Sequence, residues 1–193
     1  RQRQMCIRDR CLIIMKKLNF VLVALLSLVF GINAQENLTG DMYNLTKIRS
    51  GVRNHRVSSY DRSGNNRDHL KEIKPGDTRV LAEIEGAGII NHIWVTIAPG
   101  PGELSRNDII LRMYWDGNEY PSVESPIGPF FGQGWNEQYN YASLPLSAGP
   151  NTGTGLSCYF AMPFAKGARI EIENQTERTI DCFYSVSYTH LRA

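Results

Sequence analysis

The sequence predicts an all-β protein with the architecture of a jelly-roll β-sandwich. Short segments in which apolar and polar residues alternate recur from about residue 79 to residue 186. Turns rich in glycine and proline separate these segments, and only one short stretch shows the apolar spacing of a helix. Many short strands with almost no helix are typical of sandwiches and jelly rolls.

Residues 15–34 have the layout of a secretory signal peptide. Two lysines follow Met15, an apolar run extends from Phe20 to Phe30, and the small residue Ala34 ends the segment. The run is shorter than the roughly 20 residues that a membrane-spanning helix needs. We therefore expect export to the periplasm or the exterior of a bacterial cell, with no membrane span after cleavage.

Residues 1–14 and 187–193 are expected to be non-native flanks, because they lack any apolar pattern and resemble translated adapter sequence. This leaves residues 35–186 as one N-terminal jelly-roll domain, a fragment of a longer protein. Without residues 1–34 and Arg192, the formal net charge changes from +2 to −4, because the removed ends hold seven basic residues and one acidic residue. A nucleic-acid-binding face needs clustered positive charge, so no nucleic-acid partner is expected.

The domain is predicted to begin with a short helix over residues 36–50, where four apolar side chains recur at helical spacing. A polar loop over residues 51–69 follows. Residues 74–77 (KPGD) predict a turn, because proline presets φ and glycine accepts a positive φ.

The next three segments predict strands with one buried face each. The residues expected to share these buried faces are Val80, Ala82 and Ile84; Ile93, Val95 and Ile97; and Ile109, Leu111, Met113 and Trp115. His92, Trp94 and Thr96 lie on the opposite face of the second strand. Asp116 and Gly117 are a strong tight-turn signal, so Asp116 is interpreted as a turn residue.

Residues 125–155 are rich in glycine, proline and aromatic residues and predict a long loop, which in a compact domain is usually functional. Strands are expected again at 156–162, at 168–173 and at about 180–186. Cys158 and Cys182 lie in this part, and two interpretations stay open: a disulfide of an exported protein, or two buried free thiols. No CxxC or histidine-rich spacing is present, so neither a metal nor another cofactor is expected.

Two loops carry the candidate binding residues. Residues 58–66 hold a phenol, a carboxylate and a guanidinium among hydroxyl and amide groups, which suits a polyhydroxylated ligand. The candidate substrate-binding residues are Tyr60, Asp61, Arg62, Asn66, Glu124, Phe131 and Trp135. We expect Arg62 to keep Asp61 ionised, although the same pair can simply tie down the loop. Phe131 and Trp135 are expected to be exposed and to stack on a sugar, whereas Glu124 faces either the ligand or solvent. Together the two loops are expected to form one pocket.

The chain resembles the N-terminal half of glycoside hydrolase family 172 from about residue 50 to residue 186. The resemblance is carried by SSYDR at 58–62, INHIW at 90–94, LRMYWDG at 111–117, PSVESP at 121–126, GPFFG at 128–132 and YFAMPF at 159–164. These motifs occur in the order of the family, and their combination is more specific than any one of them.

The resemblance implies a retaining enzyme that acts on α-linked D-arabinofuranosides or D-fructofuranosides in oligo- or polysaccharides. It also implies two tandem jelly rolls, assembly as a homotrimer or a multiple of one, and an active site near a subunit interface. The catalytic glutamates of the family are expected in the second half of the full-length chain, so no catalytic residue is assigned here. The alternatives are a non-catalytic carbohydrate-binding jelly roll and a capsid-like assembly jelly roll; the latter gives no reason for the polar loop at 58–66.

Overall fold

The computed structural model describes residues 50–99 and 104–191, which form a two-layer β-sandwich with antiparallel pairing throughout. This confirms the all-β jelly roll that the sequence predicts. The predicted signal peptide at 15–34, the flank at 1–14 and the predicted helix at 36–50, apart from its last residue, lie outside the described residues. No helix in the described ranges is long and apolar enough to cross a membrane.

Twelve strands and two single-turn helices make up this part of the chain. The strands are β1 Val52–Ser58, β2 Leu70–Ile73, β3 Thr78–Glu85, β4 Gly88–Ala98, β5 Ile109–Trp115, β6 Val123–Pro126, β7 Tyr141–Ala142, β8 Leu146–Gly149, β9 Gly155–Cys158, β10 Met162–Phe164, β11 Gly167–Asn174 and β12 Ile180–Leu191. A 3₁₀ turn, Arg106–Asp108, precedes β5, and the helix α1, Ile127–Phe130, follows β6.

The strands form a large sheet of eight and a small sheet of four. The large sheet has the order β1-β12-β4-β9-β8-β7, with β10 also paired to β4 and β2 also paired to β12. The small sheet has the order β3-β11-β5-β6. Apolar side chains from the facing surfaces of both sheets form one core, whose fully buried members include Ile93, Val95, Leu111, Met113, Leu156, Ile170 and Ile172.

Strand β3 departs from its predicted alternation at Leu81. Ala82 lies opposite Ile170, but Val80 lies opposite Glu171, so β3 has one residue more than β11 at this point. This extra residue is a β-bulge, and it interrupts the regular alternation of buried and exposed side chains along β3. Leu81 is therefore in the core at 1% exposure, whereas Val80 is 41% exposed. The expectation that Val80 is buried is wrong.

Strand β12 continues beyond the predicted end of the domain. It extends to Leu191, which pairs with Val52 of β1. Residues 187–191 thus form part of the large sheet. Whether they are native or non-native sequence stays a prediction.

Cys158 and Cys182 are both buried and free. Cys158 lies opposite Ile93 and Cys182 lies opposite Ile97, on the two sides of β4. Two strand spacings across the sheet and four residues along it separate the Cα atoms by more than about 15 Å. A disulfide requires roughly 7 Å or less, so of the two open interpretations the structure supports the buried thiols. Burial raises the pKa of Cys182 to about 12.

Candidate functional site

Three loops lie at one end of the large sheet. Residues 59–69 connect β1 to β2, residues 131–140 connect α1 to β7, and residues 150–154 connect β8 to β9. Ser58 at the end of β1 and Ser157 in β9 belong to one row of paired residues across the sheet. The chain leaves β1 and enters β9 on the same side of this row, about 15 Å apart at the usual strand spacing.

The Asp61 carboxylate organises the first of these loops. Its Oδ1 accepts hydrogen bonds from Ser63 N at 2.9 Å and Ser63 Oγ at 2.6 Å, and its Oδ2 accepts one from Arg67 N at 3.3 Å. The backbone N–H of Asp61 donates to Asp68 Oδ1 at 2.6 Å. The hydrogen bonds from Ser63 hold the pKa of Asp61 below its usual value, because they stabilise the charged form.

Arg62 does not pair with Asp61. Its guanidinium carbon lies 6.0 Å from the ring centroid of Tyr60, which is a cation–π contact. Within the described residues no ion pair joins Arg62 to Asp61, so the expectation that Arg62 keeps this carboxylate ionised is wrong; Ser63 and Arg67 supply the donors instead. Tyr60 is 59% exposed, and Asn66 is exposed at a positive φ of 57°.

Trp135 projects from a tight turn on the second loop. Glu137 N donates to Gly134 O at 3.1 Å, and the two central residues, Trp135 and Asn136, have φ values of 61° and 59°. Two consecutive positive φ values define a type I′ geometry, which is costly for a residue with a large side chain. The indole is 91% exposed, as the sequence predicts. Backbone strain of this kind is concentrated at functional sites, so the exposed indole on this turn is a candidate binding surface.

A buried pair that the sequence does not predict, Arg106 and Gln133, supports this turn. Arg106 is 4% exposed and Gln133 is 1% exposed. Arg106 Nη1 donates to Gln133 Oε1 and to Gly153 O, the latter at 2.9 Å, and Arg106 Nη2 donates to Thr154 O at 2.8 Å. Burial lowers the pKa of Arg106 to about 10, which leaves it charged at neutral pH. No sequence signal indicates that Arg106 is buried, because a single arginine in a loop is expected to be exposed.

Phe131 is fully buried in the core, and the expectation that its ring is exposed is wrong. Its ring packs edge-on against Phe130 at a centroid distance of 4.9 Å. The Tyr141 hydroxyl donates to the Phe131 carbonyl. Phe131 follows α1 directly, and the one-turn helix directs its side chain into the sandwich rather than towards solvent.

Glu124 lies in β6 at an edge of the small sheet, whereas the three loops lead into strands of the large sheet. Arg112 Nε donates to Glu124 Oε2 at 2.6 Å, and Arg112 Nη1 lies 2.5 Å from Glu173 Oε2. The structure therefore places Glu124 in a charged cluster on β5, β6 and β11. Any role of Glu124, Phe131 or the loop residues in substrate binding stays a prediction.

Two cavities lie elsewhere in the described part of the chain. A cleft of about 600 Å³ occurs where β3 and β5 end and β11 begins, and its lining includes Glu83, Tyr114, Asp116, Lys166 and Arg169. An apolar groove of about 280 Å³ is lined by residues that include Trp115, Phe130 and Phe160. Neither cavity is lined by a predicted substrate-binding residue. Between the loop at 59–69 and the Trp135 turn, both of which the structure describes, no hydrogen bond, ion pair or ring contact occurs.

No group of three or more histidine, cysteine or acidic residues within the described ranges is placed to hold a metal ion. The candidate residues at this end of the large sheet provide a phenol, a carboxylate, a guanidinium, an amide and an exposed indole. Such a set can donate and accept hydrogen bonds and offer an aromatic face. These are the interactions that a neutral, hydroxyl-rich ligand requires.

Several solved structures match this chain at low similarity. The acidic stable capsid of Helicobacter pylori bacteriophage KHP30 gives a TM-score of 0.40 at 5% identity, over 74% of this chain and 90% of that chain. The VP2 subviral particle of infectious bursal disease virus gives 0.40 at 8% identity, over 74% of this chain and 33% of that chain. FLHE gives 0.32 at 9% identity, over 75% of this chain and 100% of that chain. Scores of this size carry no argument about function. A comparison with curated proteins found no match.

A family model gives the decisive match. The model described as GH172 domain-like matches residues 64–184, which is more than half of the chain. The matched region starts within the loop at 59–69, contains the Trp135 turn and the Arg106 cluster, and ends within β12. The chain therefore belongs to the GH172 domain-like family, as its resemblance to glycoside hydrolase family 172 predicts.

Proposed function

We propose that this chain is the N-terminal part of an exported glycoside hydrolase that acts on α-linked furanosides of D-arabinose or D-fructose with retention of configuration. Membership of the GH172 domain-like family supports a glycoside-hydrolase relationship, and the family motifs at 58–62 and 128–132 support the furanoside substrate. The observation that carries the proposal is the exposed Trp135 indole on a fixed turn.

The Trp135 ring offers an apolar face to the C–H groups of a furanose. Stacking of this kind fixes the plane of the sugar, while hydrogen bonds fix its rotation. Tyr60, Arg62 and Asn66, at the same end of the large sheet, supply a hydroxyl, a guanidinium and an amide for the sugar hydroxyls. The loop at 59–69 follows β1 and the loop at 131–140 leads into β7, at the two edges of the large sheet, a separation that suits an oligosaccharide of several units better than one sugar ring.

The catalytic pair is proposed to lie outside the described residues, in the second half of the parent protein. Retaining hydrolysis needs two carboxyl groups roughly 5 Å apart, one as nucleophile and one as proton donor. Asp61 is bound by Ser63 and Arg67, and Glu124 is paired with Arg112. Both carboxylates are thus held in structural contacts. Assembly as a trimer, or a multiple of one, would bring loops of neighbouring subunits to each active site.

The same observation favours a second candidate, a non-catalytic carbohydrate-binding jelly roll. If the carboxylates of the site are structural, the surface can bind a furanoside without hydrolysing it. Both candidates predict binding by this chain, and they differ in the reaction of the complete parent protein.

The experiment compares this chain with the complete parent protein. Binding of a D-arabinofuranosyl or D-fructofuranosyl oligosaccharide is measured by calorimetry, and hydrolysis is measured with p-nitrophenyl α-D-arabinofuranoside and its fructofuranoside counterpart. We expect both proteins to bind the sugar and only the parent to hydrolyse it, with an initial product of retained anomeric configuration. A parent that binds but hydrolyses no furanoside would support the binding module. If neither this chain nor the parent binds the sugar, both candidate functions are contradicted.

A further inference from the structure

Arg106 is a buried cation whose hydrogen-bond partners are amide oxygens rather than a carboxylate. Its guanidinium donates to the Gln133 side chain and to the carbonyls of Gly153 and Thr154, and its own backbone N–H donates to Asn136 Oδ1 at 3.2 Å. Among the described residues no ion pair involves Arg106. A charge without an ion-pair partner is expensive to bury, so a role for it is worth seeking.

These contacts fix the Trp135 turn on both sides. Gln133 precedes the turn and is held by the Arg106 guanidinium; Asn136 lies within the turn and is held by the Arg106 backbone. Gln133 Nε2 also donates to Tyr139 O at 3.0 Å and to Gly153 O at 2.9 Å, which connects the turn to the loop at 150–154. The exposed indole is therefore supported by a buried polar network beneath it.

The close packing at Gly153 shows that this network leaves little free space. A Cβ added at Gly153 would lie 2.2 Å from Tyr139 O and 2.3 Å from Gln133 Nε2, and Gly153 has a φ of +72°. Glycine is needed here for both reasons. The loops thus meet at Arg106 in one closely packed arrangement, which is what a preorganised binding surface requires.

We propose that Arg106 is a positioning residue for ligand binding: by holding Gln133 and Asn136 it fixes the turn that presents the Trp135 indole to the sugar. This inference rests on the proposed function of Trp135 as the stacking surface. Arg106 is 4% exposed, so its role does not require contact with the sugar. Its guanidinium fork reaches acceptors on two loops at once, and a lysine ammonium at the same position lacks that geometry.

The test uses Arg106→Met, Arg106→Lys and the matched control Arg169→Met in the whole chain. Arg169 lies on the small sheet and also has defined side-chain contacts. Its Nη2 lies 2.7 Å from Glu171 Oε2, and its guanidinium stacks on the Tyr114 ring. The first measurement is acrylamide quenching of Trp135, taken as the difference between each variant with and without Trp135→Phe. The second is the affinity for a D-arabinofuranosyl oligosaccharide.

We expect Arg106→Met to change the quenching of Trp135 and to weaken binding at least about tenfold. Arg106→Lys should recover part of both signals, and Arg169→Met should leave both unchanged. Asn136→Gly is a milder variant, since glycine keeps the positive φ and removes only the side-chain acceptor. It should loosen the turn even if Arg106→Met does not fold.

Three outcomes separate the inference from the proposed function. Unchanged Trp135 quenching and affinity in Arg106→Met or, if that variant does not fold, in both Arg106→Lys and Asn136→Gly, would overturn the role of Arg106. An equal effect of Arg169→Met would show a general loss of stability and would also overturn it. A change in Trp135 quenching in a chain whose unmodified form binds no furanoside would support the role of Arg106 in holding the Trp135 turn, but it would refute the proposed function and with it the presentation of the indole to a sugar.

Discussion

Asp61 and Asp116 both use their carboxylates to bind backbone amides close to a turn. Asp116 has a φ of 57° in a turn closed by the hydrogen bond from Asn118 N to Trp115 O at 3.0 Å. Its Oδ1 accepts from Ala165 N at 2.8 Å and Lys166 N at 2.6 Å. The turn role of Asp116 is predictable because an Asp-Gly pair is a local signal. The bond to Ala165, 49 residues away, depends on the tertiary fold and has no local signal.

The first prediction concerns the acid stability that Asp116 provides. Backbone hydrogen bonds, above all from Lys166, lower the pKa of Asp116 below its usual value of 3.8. A carboxyl with a depressed folded-state pKa stabilises the fold above its unfolded-state pKa, and this contribution is lost as the pH falls through the folded-state pKa. Asp116→Asn should therefore reduce the free energy of unfolding at about pH 6 more than at about pH 2.5.

Urea unfolding at several pH values measures this difference. Glu119→Gln is a suitable control, because Glu119 is exposed and has no hydrogen bond or ion pair within the described residues. A loss of stability in Asp116→Asn that is equal at both pH values would argue against the carboxylate as its cause.

The second prediction concerns Asp61. Its removal takes away the acceptor for Ser63 and Arg67, so the loop that carries Tyr60 and Arg62 should lose its fixed shape. We expect Asp61→Ala to weaken furanoside binding at least about tenfold with an unchanged far-UV circular dichroism spectrum. Calorimetric titration measures the affinity, and Glu119→Ala is the control. Equal affinities of Asp61→Ala and the unmodified chain would remove the Asp61 loop from the site.

At the scale of a strand, the bulge in β3 is the clearest difference between pattern and structure. Alternation predicts which residues share a face only while the register of pairing is unbroken. The extra residue at Leu81 depends on the pairing of β3 with β11, a strand that comes only at residues 167–174 of the sequence. By contrast, Ile93, Val95 and Ile97 of β4 are buried as predicted, because no bulge interrupts β4 between them.

The third prediction tests this bulge directly. Leu81→Ala should lower the free energy of unfolding by about 2–5 kcal/mol, because it removes a core side chain. Val80→Ala should change it by roughly 0.5 kcal/mol or less, because Val80 is at the surface. Urea unfolding of the two variants is the measurement. A larger loss of stability in Val80→Ala than in Leu81→Ala would contradict the bulge and support the alternation that buries Val80.

The one-turn elements show why parts of the site are not predictable. Phe131 and Trp135 both lie in a loop segment rich in glycine and aromatic residues, yet one is in the core and the other is 91% exposed. Phe131 directly follows α1, which directs its side chain into the core, whereas Trp135 lies in the turn after Gly134, which directs its side chain to solvent. Arg106 is the first residue of a 3₁₀ turn that carries no apolar pattern, so composition assigns it to the surface. The deciding contacts are non-local in both cases.

For the whole molecule, the fold follows from sequence patterns more completely than the site does. Strand periodicity and turn residues predict the sandwich, since burying one face of each strand leaves few alternatives. They miss β1, which lies in residues predicted as a polar loop, and β7 and β8, which lie in residues predicted as one long loop. The meeting of the loops depends on strand order, which no local pattern contains. Strand pairing brings the loops at 59–69 and 150–154 to one end of the large sheet, and Arg106 then joins the second of these to the Trp135 turn.

The central claim is that the loops at this end of the large sheet form the sugar-binding surface. The most direct test is an NMR titration of the isotope-labelled 21.8 kDa chain with a D-arabinofuranosyl oligosaccharide. We predict that amide signals of residues 60–66 and 134–137 shift in a saturable way, together with the Trp135 indole N–H. Shifts confined to the cleft around Tyr114 and Lys166, or no shifts at all, would contradict the claim.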